Sequence, residues 1–128
     1  MTDNPKHFGK TAEIVAEQYL RQKGYQILDR NVRSAMGGLD LIVSKADTVV
    51  FVEVKARRTA SFGGVVHAID QRKERRLVRL AASYLARRKW SDRACRFDVI
   101  LCHGEATMLK TIEHIEDAFE VPGDDLRW

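Results

Sequence analysis

Two apolar segments separated by a short polar turn constrain the fold of this chain more than any other feature. The segments cover residues 38–44 and 49–55 and are rich in valine, leucine and isoleucine. Such runs, bounded by polar residues, are typical of β-strands. With Ala46 and Asp47 at the tip of the turn, the residues on either side of this dipeptide pair with each other. The sequence therefore predicts a β-hairpin whose register is set by its turn.

This register brings two acidic residues together. It sets Asp40 directly opposite Glu53, and cross-strand neighbours have Cβ atoms about 5 Å apart. Two carboxylates within an otherwise apolar pair of strands repel each other and resist desolvation, and a divalent cation would remove both problems. Lys55 lies two residues after Glu53 and therefore points to the same face of the sheet. The three residue types suit metal-assisted phosphodiester hydrolysis.

Each of these residues also has a purely structural explanation. Glu53 or Asp40 would form an ion pair with Lys55 without any chemistry, and Asp40 alone would be an edge charge at the start of a strand. Lys55 would belong to a solvated basic run, because Arg57 and Arg58 follow it. The residues of the hairpin leave this alternative open.

Length and composition predict one compact domain. The chain has 128 residues, of which 45% are hydrophobic, enough for a single core. No apolar run approaches the roughly 20 residues of a membrane span, and the N-terminal residues lack the apolar core of a secretory signal. We expect a cytoplasmic protein with a single domain over residues 1–128, a core over about 8–120 and a flexible polar tail over 121–128.

The spacing of apolar residues predicts a mixed sheet flanked by helices. Helical spacing covers residues 8–23 and 66–89, a loop covers 57–64, and residues 117–119 resemble the start of a short helix. The predicted strands are residues 25–33, 38–44, 49–55, 96–101 and 108–115. The order α-β-β-β-α-β-β indicates a fold of α/β or α+β class, with a crossover through the long helix if the strands it joins are parallel.

Basic residues are concentrated on the second predicted helix. The net charge of +4 is weak evidence by itself, but this helix has only Asp70 and Glu74 as acids. Its basic residues are Arg72, Lys73, Arg75, Arg76, Arg79, Arg87, Arg88 and Lys89. With Arg57 and Arg58 they would line a phosphate-binding groove, which Lys73 and Arg76 are expected to face. The alternative is a solubilising face.

Five stretches of the sequence resemble the bacterial YraN-type family. They are Gly9 to Leu20, Gly24 to Asn31, Leu39 to Ile42, Val50 to Arg57 and Arg96 to Val99. The likeness covers about residues 8–120, and the Val-Phe-Val-Glu-Val-Lys run over 50–55 is its most specific part. That family is similar to the restriction-endonuclease-like superfamily with a PD-(D/E)xK site, and akin to archaeal Holliday-junction resolvases.

The resemblance implies a role for each matching residue. Asp40 and Glu53 would be metal ligands and Lys55 the catalytic lysine. Glu13, which otherwise reads as a solvated residue near the start of the first helix, matches a helical glutamate that resolvase-like members add to the site. Lys73 matches a basic position at the start of the second helix.

One position departs from the family pattern. The family usually has Gly-Glu before its Ile-Asp-Leu-Ile segment, whereas Gly38 stands in place of that glutamate. A carboxylate near the site is therefore missing. This leaves open whether the site has full catalytic strength and whether it binds a second metal. Asp40, Glu53 and Lys55 are all present.

These observations lead to a hypothesis of a Mg²⁺- or Mn²⁺-dependent endonuclease acting on branched or otherwise unusual DNA. Asp40, Glu53 and the carbonyl of Val54 would hold the cation, because hard oxygen ligands favour these metals over zinc. Lys55 would position the attacking water. The residues expected to bind the nucleic acid are Arg57, Arg58, Arg72, Lys73 and Arg76.

Two rival functions predict different behaviour. A non-catalytic nucleic-acid-binding protein of the same fold would bind DNA without turnover, and an adaptor for an acidic protein would show no salt-dependent affinity for DNA. DNA is favoured over RNA as the partner, and no membrane partner is expected. A homodimer is suggested by the resemblance alone, because junction-cutting enzymes need two active sites.

Overall fold

A computed structural model describes residues 5–35, 37–58, 71–105 and 108–119 of the chain. The elements follow the predicted order. They are α1 (Pro5–Gln22), β1 (Gln26–Ser34), β2 (Gly37–Lys45), β3 (Thr48–Arg58), α2 (Gln71–Arg87), β4 (Cys95–Glu105) and β5 (Met108–Ile115). Within these ranges, neither helix is long and apolar enough to cross a membrane.

The five strands form one mixed sheet in the order β1-β2-β3-β4-β5. Strands β3 and β4 are parallel, and the other neighbouring pairs are antiparallel. A parallel pair needs a long crossover connection, and α2 lies within the connection from β3 to β4. The predicted mixed sheet with flanking helices is confirmed.

The central strand β3 contributes side chains to a hydrophobic core on each face of the sheet. Phe51 packs with Leu77 and Leu85 of α2, whereas Val50 packs with Ala12 and Leu20 of α1. A strand covered on both faces is expected to be apolar throughout. The charged residues that interrupt β3 therefore stand out against a buried background.

The end of β3 differs from the predicted loop that starts at residue 57. The strand continues to Arg58, because its parallel pairing with β4 extends to Arg57 opposite His103 and Arg58 opposite Gly104. Backbone hydrogen bonds made by a neighbouring strand extend a strand regardless of its side-chain charge. The predicted start of the second helix at residue 66, the loop residues 61–64 and the tail 121–128 lie outside the described residues.

The prediction that a short helix starts at residues 117–119 is wrong for these residues. Residues 116 and 117 form a turn, and Asp117 has a φ of 55°, in the left-handed region. The amide of Asp117 donates to Asp98 Oδ1 at 3.0 Å, and the amide of Ala118 donates to the Phe97 carbonyl at 2.7 Å. These bonds tie the segment to β4, and the left-handed φ of Asp117 is incompatible with a right-handed helix at this residue.

Asp98 is the centre of a buried polar network on β4. Its residue is 2% exposed, and its two oxygens accept hydrogen bonds from Arg96 at 2.9 Å each. His114 Nε2 lies 2.7 Å from Asp98 Oδ2, and Arg96 also donates to the Tyr25 hydroxyl at 2.6 Å. The buried charge is thus fully hydrogen-bonded, as buried carboxylates must be. The network joins β4 and β5 to Tyr25, the residue that precedes β1.

Candidate functional site

Strands β2 and β3 part where the sequence predicts the carboxylate pair. Their ladder follows the predicted register as far as Leu41 opposite Val52, one residue short of Asp40 and Glu53. Beyond this point β2 remains paired with β1 and β3 remains paired with β4. The two strands form a fork, with Asp40 on one arm and Glu53 on the other.

The Asp40 carboxylate bridges the fork. Its Oδ2 accepts a hydrogen bond from the backbone amide of Val54 at 2.7 Å, which supplies that amide with a side-chain acceptor where the ladder has ended. The alternation of side chains along β2 also shifts here, because Leu39 and Ile42 both belong to the α2-side core while Leu41 belongs to the α1-side core. The local break in the strand turns Asp40 toward β3.

Glu53 is held by two lysines on the α2 side of the sheet. It is 6% exposed, and its Oε2 lies 2.9 Å from Lys73 Nζ and 3.6 Å from Lys55 Nζ. Alternation along β3 places Glu53 and Lys55 on the same face as Phe51, and Lys73 reaches them from the first turn of α2. The ion pair between Glu53 and Lys55 that the sequence left open as a structural explanation is present.

The two carboxylates and the two lysines line one cavity of about 280 Å³. It is lined by Arg33, Gly38, Leu39, Asp40, Glu53, Val54, Lys55 and Lys73. The predicted metal ligands, the predicted catalytic lysine and the predicted basic residue of α2 therefore share one site. Sequence reasoning missed Arg33, which pairs with Gly38 across β1 and β2 in the structure and which no sequence motif had marked.

Burial raises the pKa of Asp40 to about 6, and the nearby charges of Glu53 and Glu13 add to the effect. The hydrogen bond from Val54 and the charge of Lys55 work in the opposite direction but do not cancel it. A carboxylate that ionises only near neutrality in a cleft is typical of functional sites. For Asp40, it also meets the expectation that a carboxylate at this position is costly to keep charged.

The two lysines differ in protonation behaviour. Burial, a hydrogen bond with Lys73 and the charge of Lys73 together lower the pKa of Lys55, although Glu53 and Asp40 oppose them. Burial also works against charged Lys73, but the hydrogen bonds to Glu53 and Lys55 and the charge of Glu53 outweigh it and raise the pKa of Lys73. Lys73 is therefore the stable counter-ion of Glu53, and Lys55 is the amine that loses its proton more readily.

The oxygen donors of the fork suit a hard divalent cation. Within the described ranges, no three His, Cys, Asp or Glu side chains cluster around a common point as a metal cage would require. Mg²⁺ does not need such a cage, because it keeps several waters and binds proteins through one or two carboxylates together with substrate phosphates. Asp40 and Glu53 match that limited donor set, and they do not match the four ligands of a structural zinc site.

Glu13 lies beside this cavity rather than in its lining. It is partly exposed on α1 and lines a neighbouring cavity of about 290 Å³ with Leu41 and Arg30. Its charge nevertheless contributes to the raised pKa of Asp40. Glu13 therefore influences the site through its charge, although it does not line the cavity.

The residues predicted to bind nucleic acid divide into three groups. Lys73 reaches the cavity, whereas Arg72 and Arg76 are exposed on the surface of α2. Arg57 and Arg58 continue β3 beyond the site, and their side chains lie outside the described part of the chain. Of the basic residues on α2 named in the prediction, Lys73 is the one whose contacts tie it to the carboxylates.

Comparison with known proteins identifies the family. A family model described as "Uncharacterised protein family UPF0102" matches residues 12–102. The chain is 42% identical over 118 residues to a UPF0102 protein of Pseudomonas putida, a match covering 91% of this chain and 96% of the relative. It is 46% identical over 118 residues to a UPF0102 protein of Magnetococcus marinus, covering 91% of this chain and 94% of the relative. The chain therefore belongs to the uncharacterised protein family UPF0102, which confirms its likeness to the YraN-type family.

Proposed function

We propose that this protein is a Mg²⁺- or Mn²⁺-dependent endonuclease with a restriction-endonuclease-like core that hydrolyses phosphodiester bonds in DNA. The observation that carries the proposal is the fork between β2 and β3, where two carboxylates and two lysines line one cavity. Such a grouping is costly for folding, because the pKa of Asp40 is raised to about 6 by burial and by its acidic neighbours. Costly ionisable groups in a cleft are best explained by function.

The residues of the fork have distinct roles in this proposal. Asp40, Glu53 and the Val54 carbonyl would hold the metal, which supplies polarisation of the scissile phosphate and a lowered pKa of bound water. The Val54 amide orients the Asp40 carboxylate, and Lys73 orients the Glu53 carboxylate.

Lys55 has the catalytic role in the proposal. Its ammonium group stabilises negative charge on the phosphate in the transition state and orients the attacking water. Its lowered pKa allows it to exchange a proton more readily than an ordinary lysine does. Glu13 supports the site from α1 through its effect on Asp40.

The substrate class rests on the resemblance to junction resolvases. Branched or otherwise unusual DNA is the proposed target, with the exposed basic residues of α2 contacting the flanking backbone. A homodimer would supply the two active sites that junction cutting requires, and the protein is proposed to act in the cytoplasm.

One observation favours a second candidate, a nucleic-acid-binding protein without turnover. Glu53 is paired with both Lys73 and Lys55, so its charge is already balanced without a metal. Gly38 also supplies no carboxylate to the cavity. This candidate predicts salt-dependent DNA binding and no cleavage with any divalent cation.

Cleavage of a panel of DNA substrates tests the proposal. Purified protein is incubated with duplex, flap and four-way-junction DNA in Mg²⁺ or Mn²⁺, alongside Asp40→Ala and Lys55→Ala. Each of these two variants should cleave at least about 100-fold more slowly than the wild type, because it lacks a group that stabilises the transition state. Asp47→Asn, at the exposed tip of the same hairpin, is the matched control and should cleave like the wild type. Equal cleavage by all four proteins would show that the activity belongs to a contaminant.

A further inference from the structure

Arg33 lies across Gly38 at the edge of the cavity. The two residues pair on β1 and β2, and a Cβ placed on Gly38 would lie 3.3 Å from Arg33 Nη1 and 3.5 Å from Arg33 Cγ. It would also lie 3.3 Å from the Val32 carbonyl oxygen, which belongs to the backbone. The two distances of 3.3 Å, to Arg33 Nη1 and to the Val32 carbonyl oxygen, are shorter than an ordinary van der Waals contact. Glycine at this position therefore allows the Arg33 side chain to lie flat on β2 and reach the site.

The guanidinium group of Arg33 has different partners from the two carboxylates of the cavity. Glu53 is paired with Lys73 and Lys55, and Asp40 Oδ2 accepts from the Val54 amide. In the described part of the chain, no carboxylate forms an ion pair with Arg33, which is exposed at the rim. The guanidinium is thus available to an anion that enters from solvent.

The geometry of a guanidinium restricts which anion it suits. Its planar fork of N–H donors matches two oxygens of one phosphate or carboxylate group, and its charge persists at every working pH. The cavity at whose rim Arg33 lies also contains two lysines, so an extended ligand with a second anionic group within reach of them is attracted more strongly than a single free anion. The phosphodiester backbone of a nucleic acid meets both conditions.

We propose that Arg33 is a phosphate-binding residue of this site, which grips a backbone phosphate next to the one at the carboxylate pair, and that Gly38 keeps the space for it. This inference rests on the proposed function, because the ligand is the same nucleic acid. Arg33 acts in binding and positioning. Its loss therefore weakens the affinity for DNA and leaves the rate at saturating DNA nearly unchanged.

Binding without divalent metal tests this role separately from cleavage. The dissociation constant of a fluorescent four-way junction is measured at several salt concentrations for the full-length wild type, Arg33→Gln, Arg33→Lys and Gly38→Glu. Arg21→Gln, an exposed arginine on α1, is the matched control. Arg33→Gln should weaken binding about 5- to 10-fold and reduce the slope of log affinity against log salt by about 1.

The other variants separate charge from shape. Arg33→Lys should bind between the wild type and Arg33→Gln, because it keeps the charge and loses the fork. Gly38→Glu should bind as weakly as Arg33→Gln or more weakly, because the new carboxylate pairs with Arg33 and repels phosphate. Arg21→Gln should match the wild type in both affinity and slope.

The outcomes distinguish this inference from the proposed function. A wild type that cleaves DNA while Arg33→Gln keeps its affinity and slope overturns the inference alone. A fall in the single-turnover rate at saturating DNA with unchanged affinity also overturns it. A wild type that shows no salt-dependent DNA binding overturns both the inference and the proposed function. A wild type that binds DNA without cleaving it, together with the expected loss of affinity in Arg33→Gln, supports the inference and overturns the nuclease proposal.

Discussion

Asp40→Asn is expected to stabilise the metal-free protein at pH 7.5 by about 1–3 kcal/mol while it abolishes cleavage. In the folded state burial raises the pKa of Asp40 to about 6 from an ordinary value of 3.8. Between these two values the folded protein holds a proton that the unfolded chain has released, so stability falls as the pH rises through this window. Above pH 6 the full penalty remains. Asparagine removes the charge and keeps an oxygen that can accept from the Val54 amide.

Urea denaturation at pH 7.5 and pH 5 measures this effect. The stability gained by Asp40→Asn should be smaller at pH 5, where much of Asp40 is already protonated in the folded wild type. Asp47→Asn at the exposed hairpin tip should change the free energy of unfolding by less than about 0.5 kcal/mol at either pH. An Asp40→Asn protein that is less stable than the wild type at pH 7.5 would contradict the assignment of a strained functional carboxylate.

The same variant separates metal binding from folding. A cation that binds only the folded state adds about 2.7 kcal/mol of stability at 100 times its dissociation constant. Mn²⁺ should therefore stabilise the wild type and leave Asp40→Asn unchanged. Asp40→Asn is thus expected to be more stable than the wild type in the absence of metal and to lose activity. This combination is the trade-off between stability and activity expected at a functional site.

Asp98→Ala is expected to have the largest effect on stability, a loss of about 3–5 kcal/mol. The substitution leaves the guanidinium of Arg96 without the carboxylate that accepts two of its hydrogen bonds, and it removes the partner of His114. Such a loss is a large fraction of the stability of a typical domain. Urea denaturation of Asp98→Ala, with exposed Asp92→Ala as the control, measures it.

The pH dependence of Asp98 runs opposite to that of Asp40. Burial works against its charged form, but hydrogen bonds from His114, Arg96 and the Asp117 amide outweigh burial and lower the pKa of Asp98. A lowered pKa contributes stability above the ordinary value of 3.8 that is lost as the pH falls through the folded value. The stability difference between wild type and Asp98→Asn should therefore shrink in acid. A catalytic role for Asp98 would instead lower the cleavage rate per folded molecule, and this rate should remain unchanged.

The hairpin was predictable because its turn and its apolar run fix the register together. Lys45 opposite Thr48 and Leu41 opposite Val52 are confirmed. The parting of the strands just beyond this point was not predictable, because it depends on a side chain, Asp40, taking the amide of Val54. The local sequence pattern does not reveal a side-chain hydrogen bond that takes the place of the backbone hydrogen bonds between β2 and β3.

The position of Arg33 could not be predicted from the sequence. Strands β1 and β2 shift register between Ile27 and Asp29, and a one-residue shift moves every later side chain to the other face. The sequence of the first predicted strand, residues 25–33, alternates only loosely between apolar and polar residues and gave no sign of this bulge. The position of Arg33 over Gly38 therefore required the structure.

Lys73 and Arg76 were both expected to face the groove beside the carboxylates, and Lys73 does line that cavity, whereas Arg76 is exposed and is not among its lining residues. The ion pair of Lys73 with Glu53 was not predicted. The distance of 2.9 Å between Lys73 and the carboxylate depends on how α2 packs on the sheet, which sequence spacing does not fix. The turn at Asp117 was missed for a similar reason, since its left-handed φ is stabilised by a hydrogen bond to distant Asp98.

Anomalous scattering from a crystal grown at pH 7.5 and soaked in Mn²⁺ tests the fork most directly, since this pH is above the pKa of Asp40. One peak is expected within about 2.0–2.6 Å of a carboxylate oxygen of both Asp40 and Glu53, and it should be absent from a crystal of Asp40→Asn. A saturating soak that leaves Glu53 paired with Lys73 and shows no manganese between the two carboxylates would contradict a metal-dependent nuclease site.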